Sequence, residues 1–251
     1  MMNTPKIIKH LILINVIMFL ATSVRHELMY SLFAMHFPEN PAFHWWQIIT
    51  HMFMHGGFWH ILFNMYALWA FGSPLIMHFG EKRFLVFYFL SGLGAIALFL
   101  GVQYYEFYGY LHQLEAMGFS PSVIFHILHS ADPEAVVAKI PALLYNSSAM
   151  ASLAKMLQIY HMTMLGASGA IYGILVAFGF FYPRAKLMLI FLPYPIEARY
   201  FIPLLILLDI FFGITNYLHL PIAHFAHVGG ALTGLLLMWL WRKHKDEYYY
   251  Y

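Results

Sequence analysis

Residues Thr163–Phe178 read TMLGASGAIYGILVAF, a stretch apolar enough to lie in lipid that carries a serine among glycines and alanines near the start of a helical pattern. Small residues in a membrane helix mark close packing against a neighbour, and a serine there ordinarily bonds back to a carbonyl of its own helix. Ser168 therefore has a plain reading as packing surface. A second reading arises only if other polar residues of the chain converge on it.

The rest of the chain places this segment in a bilayer. Of 251 residues, 62% are hydrophobic and 10% charged, so a water-facing surface would lack the polar side chains it needs. A net charge of +2 on scattered basic residues provides no nucleic-acid surface. With no cysteine, thiolate catalysis, disulfides and cysteine-ligated metals are excluded. Trp45, Trp46 and Trp59 lie close together, as interface anchors do. The first apolar run has no evident small-residue cleavage site and reads as a retained helix.

Six runs approach the ~20 residues that a helix needs to cross the hydrocarbon: 7–24, 57–78, 83–102, 163–182, 200–217 and 224–241. The expected fold is an all-α membrane protein, a six-span bundle in which 1–251 form one domain. Residues 103–162, between the third and fourth spans, differ from the rest: they carry Glu106, Glu115, Asp132, Glu134, Lys139 and Lys155. Their apolar positions, such as Val136, Val137, Ile140, Leu143 and Leu144, recur at helical spacing, so amphipathic helices lying on the membrane surface are expected. An even number of spans puts both termini on one side. That side holds ten basic residues and the other only Arg25, Lys139 and Lys155. The positive-inside rule then makes the termini cytoplasmic and the insert 103–162 external, in a membrane expected to be the bacterial inner membrane.

In this orientation the second, fourth and sixth spans all begin at the outer leaflet. The second carries His60 and Asn64 on one helical face, and the fourth carries Ser168 with Tyr172 a turn below. The sixth carries His227, followed on the same face by Gly230 and Gly234, while Gly169 and Gly173 offer the fourth span a matching ridge. Taken singly, His227 could be a packing histidine bonded to a carbonyl, and the glycines signal only helix contact. Together they supply a nucleophile, a base and a pair of donors, each in the outward half of a different span, and ionisable groups inside a membrane need such a reason. Gly166 and Ala167 leave open backbone beside the serine. Asp209 belongs to no paired-aspartate motif, and no aspartate is near His227 in sequence, so packing is expected to hold the imidazole, with Tyr172 as its floor. His51 and His55 stand four apart and, with His60, invite a metal reading, but the His-Glu-x-x-His signature is absent. Neither a metal nor a cofactor is expected.

These residues resemble the three signatures of the rhomboid intramembrane serine proteases: HILFN from His60 to Asn64, GASGAIYG around Ser168 and AHVGGALTG around His227. The likeness covers roughly 45–100 and 163–241, including THMFMH before His60 and GEKR at Gly80–Arg83. It implies that Ser168 is the nucleophile and His227 the general base, a dyad without an acidic third member. It further implies that His60, Asn64 and the Ser168 N–H form an oxyanion site, that Tyr172 supports the His227 ring, that His51 is structural, and that the fifth span is a lateral gate. The activity implied is cleavage of transmembrane protein substrates near the outer membrane boundary; the alternative is an inactive relative that binds membrane clients. Two departures stand out. Trp46 is followed by Gln47 where the family often has arginine, and 103–162 has no counterpart.

Overall fold

A computed structural model describes residues 4–189, 192–215 and 223–246. The chain is mostly helical. In order it forms α1 (Lys6–Val24), α2 (His26–Phe33), strand β1 (Met35–His36), α3 (Gln47–Thr50), a 3-10 turn (His51–Phe53), α4 (Phe58–Ala67), a π-helical turn (Leu68–Gly72) and α5 (Ser73–Ala116). Four shorter helices follow: α6 (Pro121–Leu128), α7 (Pro133–Val137), α8 (Pro141–Leu144) and α9 (Ser147–His161). Then come β2 (Thr163–Met164), α10 (Ser168–Phe181), the hairpin β3 (Lys186–Leu189) and β4 (Leu192–Glu197), α11 (Ala198–Thr215) and α12 (His224–Asp246). The two antiparallel pairs, β1 with β2 and β3 with β4, depart from the all-α expectation.

Among the described residues, three helical stretches are long and apolar enough to cross a membrane: Lys6–Val24, Phe58–Ala116 and Ala198–Thr215. The helix α1 shows how such a segment is built. It buries Ile8, Leu11, Asn15 and Thr22 in one stripe and leaves Leu13, Ile17, Leu20 and Val24 exposed, a surface that only lipid covers without cost. Its buried donors bond back to the helix, the Asn15 amide nitrogen to the Leu11 carbonyl at 2.8 Å and the Thr22 hydroxyl to that of Met18 at 2.8 Å, while the Asn15 side-chain oxygen has no partner among the described residues. The stretch Phe58–Ala116 is not straight. At Gly80 the backbone turns through φ 69°, and the chain folds back so that a Cβ on Gly72 would lie 3.1 Å from the Phe84 ring, whereas twelve residues of straight helix span about 18 Å.

The centre of the bundle is made by small residues. A Cβ on Gly229 would lie 2.6 Å from the Gly94 carbonyl oxygen, one on Gly169 2.5 Å from Ala95, and one on Gly234 2.6 Å from the Cα of Gly173. In this way α5, α10 and α12 approach to backbone contact, which is how helices associate where apolar burial gives no advantage over lipid.

The helix ends differ from the sequence expectations where the chain changes partner. The third run, expected to end at 102, continues as one helix to Ala116. The fourth, expected from 163, starts at Ser168, because Thr163–Met164 pairs with Met35–His36 and Gly166 breaks the path with φ 124°. Residues 216–217 of the expected fifth span lie outside the described residues. The helices after α5 also turn apolar residues toward one another. Val137, Leu143, Leu153, Met156 and Ile159 pack against Phe107, Leu111, Leu114, Ile124 and Ile127 in a second core, into which Phe37 inserts. Proline opens α6, α7 and α8, and Asp132 and Asn146 cap α7 and α9 by accepting from Ala135 N–H and Ala149 N–H at 3.0 Å each. Four short, sharply bounded helices can close on one another in a way that one long surface helix cannot.

Candidate active site

Ser168 is the first residue of α10, and no side chain caps the free N–H groups of that first turn. Two contacts fix the approach to it: the β1–β2 pairing and a 2.9 Å hydrogen bond from Gly166 N–H to the His51 carbonyl. Only glycine adopts φ 124° at position 166 without strain, and that conformation turns the backbone sharply before the serine. On the facing helix, Gly230 presses so closely on Gly169 that a side chain there would strike the Gly169 carbonyl. His227, one turn earlier on α12, is thereby brought to the serine. Its Nε2 lies 2.9 Å from Ser168 Oγ.

The other face of the imidazole is equally defined. The Tyr172 ring stacks on it with centroids 4.2 Å apart and planes 9° from parallel. Asp209, buried in α11, places Oδ1 3.1 Å from His227 Nδ1, and the same oxygen lies 2.6 Å from His224 Nδ1. Tyr172 donates its hydroxyl to Asp209 Oδ2. The carboxylate accepts only, so Nδ1 of His227 carries the proton and Nε2 is left as the acceptor for the serine hydroxyl. The expectation of an imidazole held by packing alone, without an acidic neighbour, is thus corrected: packing against Tyr172 is joined by a carboxylate. The signal was present in LLILLDIFF, where Asp209 stands alone among apolar residues, because an ionisable group at that depth needs a partner.

His60 sits on the opposite side of Ser168. Gly56 N–H donates to its Nδ1 at 3.4 Å, which leaves the proton on Nε2, and a Cβ on Gly166 would lie 2.8 Å from that Nε2. The ring is half-buried and Gly56 is exposed, so the site is open on this side. Asn64 is buried a turn further along α4 and makes no hydrogen bond to Ser168. The structure therefore brings Ser168, His227 and Tyr172 into direct contact, sets His60 and Gly166 beside them, and holds Asn64 deeper.

His51 and His55 are both buried, and the His55 ring meets that of His60 edge to face with centroids 4.9 Å apart. His51 donates from Nδ1 to the Gln47 carbonyl at 2.8 Å, and burial lowers its pKa to about 4. Burial, and then the nearby His60 charge, lower that of His55 to about 3. Both rings are neutral. Gln47 itself is a fully satisfied amide: Oε1 accepts from His36 N–H at 3.3 Å and His44 N–H at 3.1 Å, and Nε2 donates to the Ser31 and Ala42 carbonyls at 3.0 Å each.

Among the described residues, the three-donor grouping that could hold a metal is Asp209, His224 and His227, not the His51, His55 and His60 set. Two ligands on one tetrahedral zinc, each ~2.0–2.2 Å from the ion, lie about 3.3 Å apart. The 2.6 Å between Asp209 and His224 is a hydrogen bond.

Comparison with known proteins identifies the family. The Rhomboid domain family model matches residues 42–130 and 135–244. An uncharacterized mitochondrial rhomboid protein of Schizosaccharomyces pombe is 25% identical over 79% of the chain and 52% of its own length. The mitochondrial Rhomboid protein 1 of Saccharomyces cerevisiae is 28% identical over 59% of the chain and 28% of its own length. The Rhomboid protease GluP of Bacillus subtilis is 38% identical over 24% of the chain and 12% of its own length. The chain thus spans about half, or less, of the length of the relatives it matches.

Proposed function

Since the chain belongs to the rhomboid family, we propose that it is an intramembrane serine endopeptidase that uses Ser168 and His227 to cleave transmembrane proteins near the outer membrane boundary. The observation that carries this reading is the 2.9 Å approach of His227 Nε2 to Ser168 Oγ, with the ring held by Tyr172. Serine is a weak nucleophile until a base accepts its proton. His227 Nε2 takes the Oγ proton as the oxygen attacks the scissile carbonyl, then returns it to the leaving amine; water repeats the cycle on the acyl-enzyme. Negative charge develops at the start of α10, where free N–H groups and the helix dipole favour it. His60 Nε2–H is poised as a further donor, with Asn64 completing the set from deeper in α4 as substrate draws in. In serine proteases one such donor supplies ~2.7–4 kcal/mol to the transition state.

The reading extends to the surroundings. Phe58–Ala116 folds back at Gly80 and supplies the second and third of six spans; Ser168–Phe181, Ala198–Thr215 and His224–Asp246 supply the last three. The termini then face the cytoplasm of a bacterial inner membrane, and 103–162 lie outside. The chain has no cysteine of its own, so labelling of single introduced cysteines from each side of sealed vesicles tests this count; labelling of Ser130→Cys and Lys82→Cys from the same side would break it. The partners are lipid and single-span proteins, preferred where small or helix-breaking residues free an extended segment, and α11, whose Leu204, Leu207 and Phe211 face outward, is the gate they pass.

The test is cleavage of a model single-span substrate in proteoliposomes. The wild type is expected to cut it and Ser168→Ala to be inert; equal turnover by both would remove the claim.

A further inference from the structure

We propose that Asp209 is a positioning residue for His227, so that this site works as a serine–histidine–aspartate relay of contacts rather than as a dyad. The inference rests on the hydrolase reading above and concerns how its base is set.

Asp209 is the one carboxylate within reach of the imidazole among the described residues, and it is 6% exposed in a helix whose residues 201–214 are otherwise apolar. A buried carboxylate is costly unless each lone pair finds a donor. Here three donors converge on its two oxygens: His227 Nδ1 at 3.1 Å and His224 Nδ1 at 2.6 Å on Oδ1, and the Tyr172 hydroxyl on Oδ2. One of those donors is the base itself, from α12, and another is Tyr172 of α10, the ring stacked on it, while the acid comes from α11. Packing alone would fix the plane of the ring, which Tyr172 does by stacking. It would not fix which nitrogen bears the proton. An acceptor on Nδ1 does: it keeps Nε2 free to accept from Ser168, and it favours the imidazolium formed once that proton has moved.

The titratable groups facing His227 are Asp209 from α11, Tyr172 from α10, His224 from its own helix and, across the site, His60 from α4. Asp209 is the one of these that attracts a charged imidazole. His60 and His224, when protonated, oppose it. Removing the carboxylate should therefore move the acid limb of the rate profile to lower pH as well as lower the rate. A residue that only supported packing would lower the rate and leave the limb in place.

The experiment measures fluorophosphonate labelling and substrate cleavage against pH for wild type, Asp209→Asn and His224→Gln, all purified in detergent with their thermal midpoints. In another serine protease the corresponding aspartate-to-asparagine change costs ~10⁴ in kcat. Here the Tyr172 stack retains part of the ring's orientation, so a fall of tenfold or more in Asp209→Asn is expected, with the acid limb displaced downward and a smaller fall in His224→Gln. Equal losses in the two variants, or an Asp209→Asn profile that matches wild type, overturn the inference while leaving the protease reading intact. A wild type that neither labels nor cleaves overturns both. The wild type also gives a readout independent of how the variants fold. ¹⁵N-histidine spectra above neutral pH should show the neutral His227 protonated on Nδ1, and a proton on Nε2 would refute the assignment.

Discussion

Gly230 of α12 and Gly169 of α10 touch through their backbones, so that a methyl group on Gly230 would run into the Gly169 carbonyl oxygen. This contact lies within one turn of both Ser168 and His227, and it sets the distance between them. Gly230→Ala must therefore push the two helices apart. Overpacking of a close interface costs ~1–3 kcal/mol, and a shift of about half an ångström stretches the 2.9 Å contact to the edge of hydrogen-bond range. The variant is expected to remain folded with a lowered thermal midpoint in detergent and to lose more than tenfold in cleavage rate. Wild-type activity in Gly230→Ala would show that the ridge does not set the site.

Gly166 makes a different demand. Its φ of 124° is closed to side chains, and a Cβ there would also meet His60 Nε2 at 2.8 Å. Strain of this kind costs ~1–3 kcal/mol, but it falls on the turn that presents the serine rather than on the core. Gly166→Ala should lose activity by at least tenfold while its midpoint moves by only a few degrees. A fully active Gly166→Ala would mean that the turn and the position of His60 have no part in catalysis.

Gln47 anchors the segment before α4 through four hydrogen bonds from one buried amide. In Gln47→Leu two N–H groups and two carbonyls lose their partners, and each buried group so orphaned costs about 1–3 kcal/mol. With water reaching some of them, a net loss of roughly 3 kcal/mol is expected. It is read as a fall in thermal midpoint, or as faster proteolysis between residues 31 and 47. An unchanged midpoint would show that the segment is held elsewhere.

The neutral rings of His51 and His55 predict how stability responds to acid. Their folded-state pKa values, about 4 and about 3, lie below the 6.5 of the free ring. The unfolded chain therefore binds more protons as the pH falls below 6.5. Stability is full above that value and declines toward pH 4, by at most ~2 kcal/mol per ring at pH 5. The thermal midpoint should be flat above neutral pH and fall below it, and the slope should diminish in His55→Asn. A midpoint independent of pH between 7 and 5 would contradict the burial of these rings.

How much of this was legible in the sequence differs by kind of residue. Ser168, His227 and the two glycine ridges stand out because polar and very small residues are rare in apolar helices, so their spacing alone says which faces meet. The end of α1 at Val24 was readable for a similar reason, since Arg25 follows directly on the apolar run. The start of α10 was not: nothing local in Thr163–Phe178 tells that its first two residues pair with Met35–His36. The second core was hidden by the same ambiguity. Val137, Leu143 and Leu153 have the periodicity of helices that lie on lipid, and helices that pack on one another share it. Asp209 was visible as an oddity, but its partners are 37, 15 and 18 residues away, a meeting that only the packing of α10, α11 and α12 produces.

The account stands or falls on whether the Ser168 oxygen is made nucleophilic by His227. Reaction of the purified protein with a fluorophosphonate probe, followed by mass-spectrometric mapping of the adduct, measures this most directly. The account predicts a single adduct on Ser168 that disappears in His227→Ala. Undiminished labelling in His227→Ala, or an adduct on another residue, would contradict it.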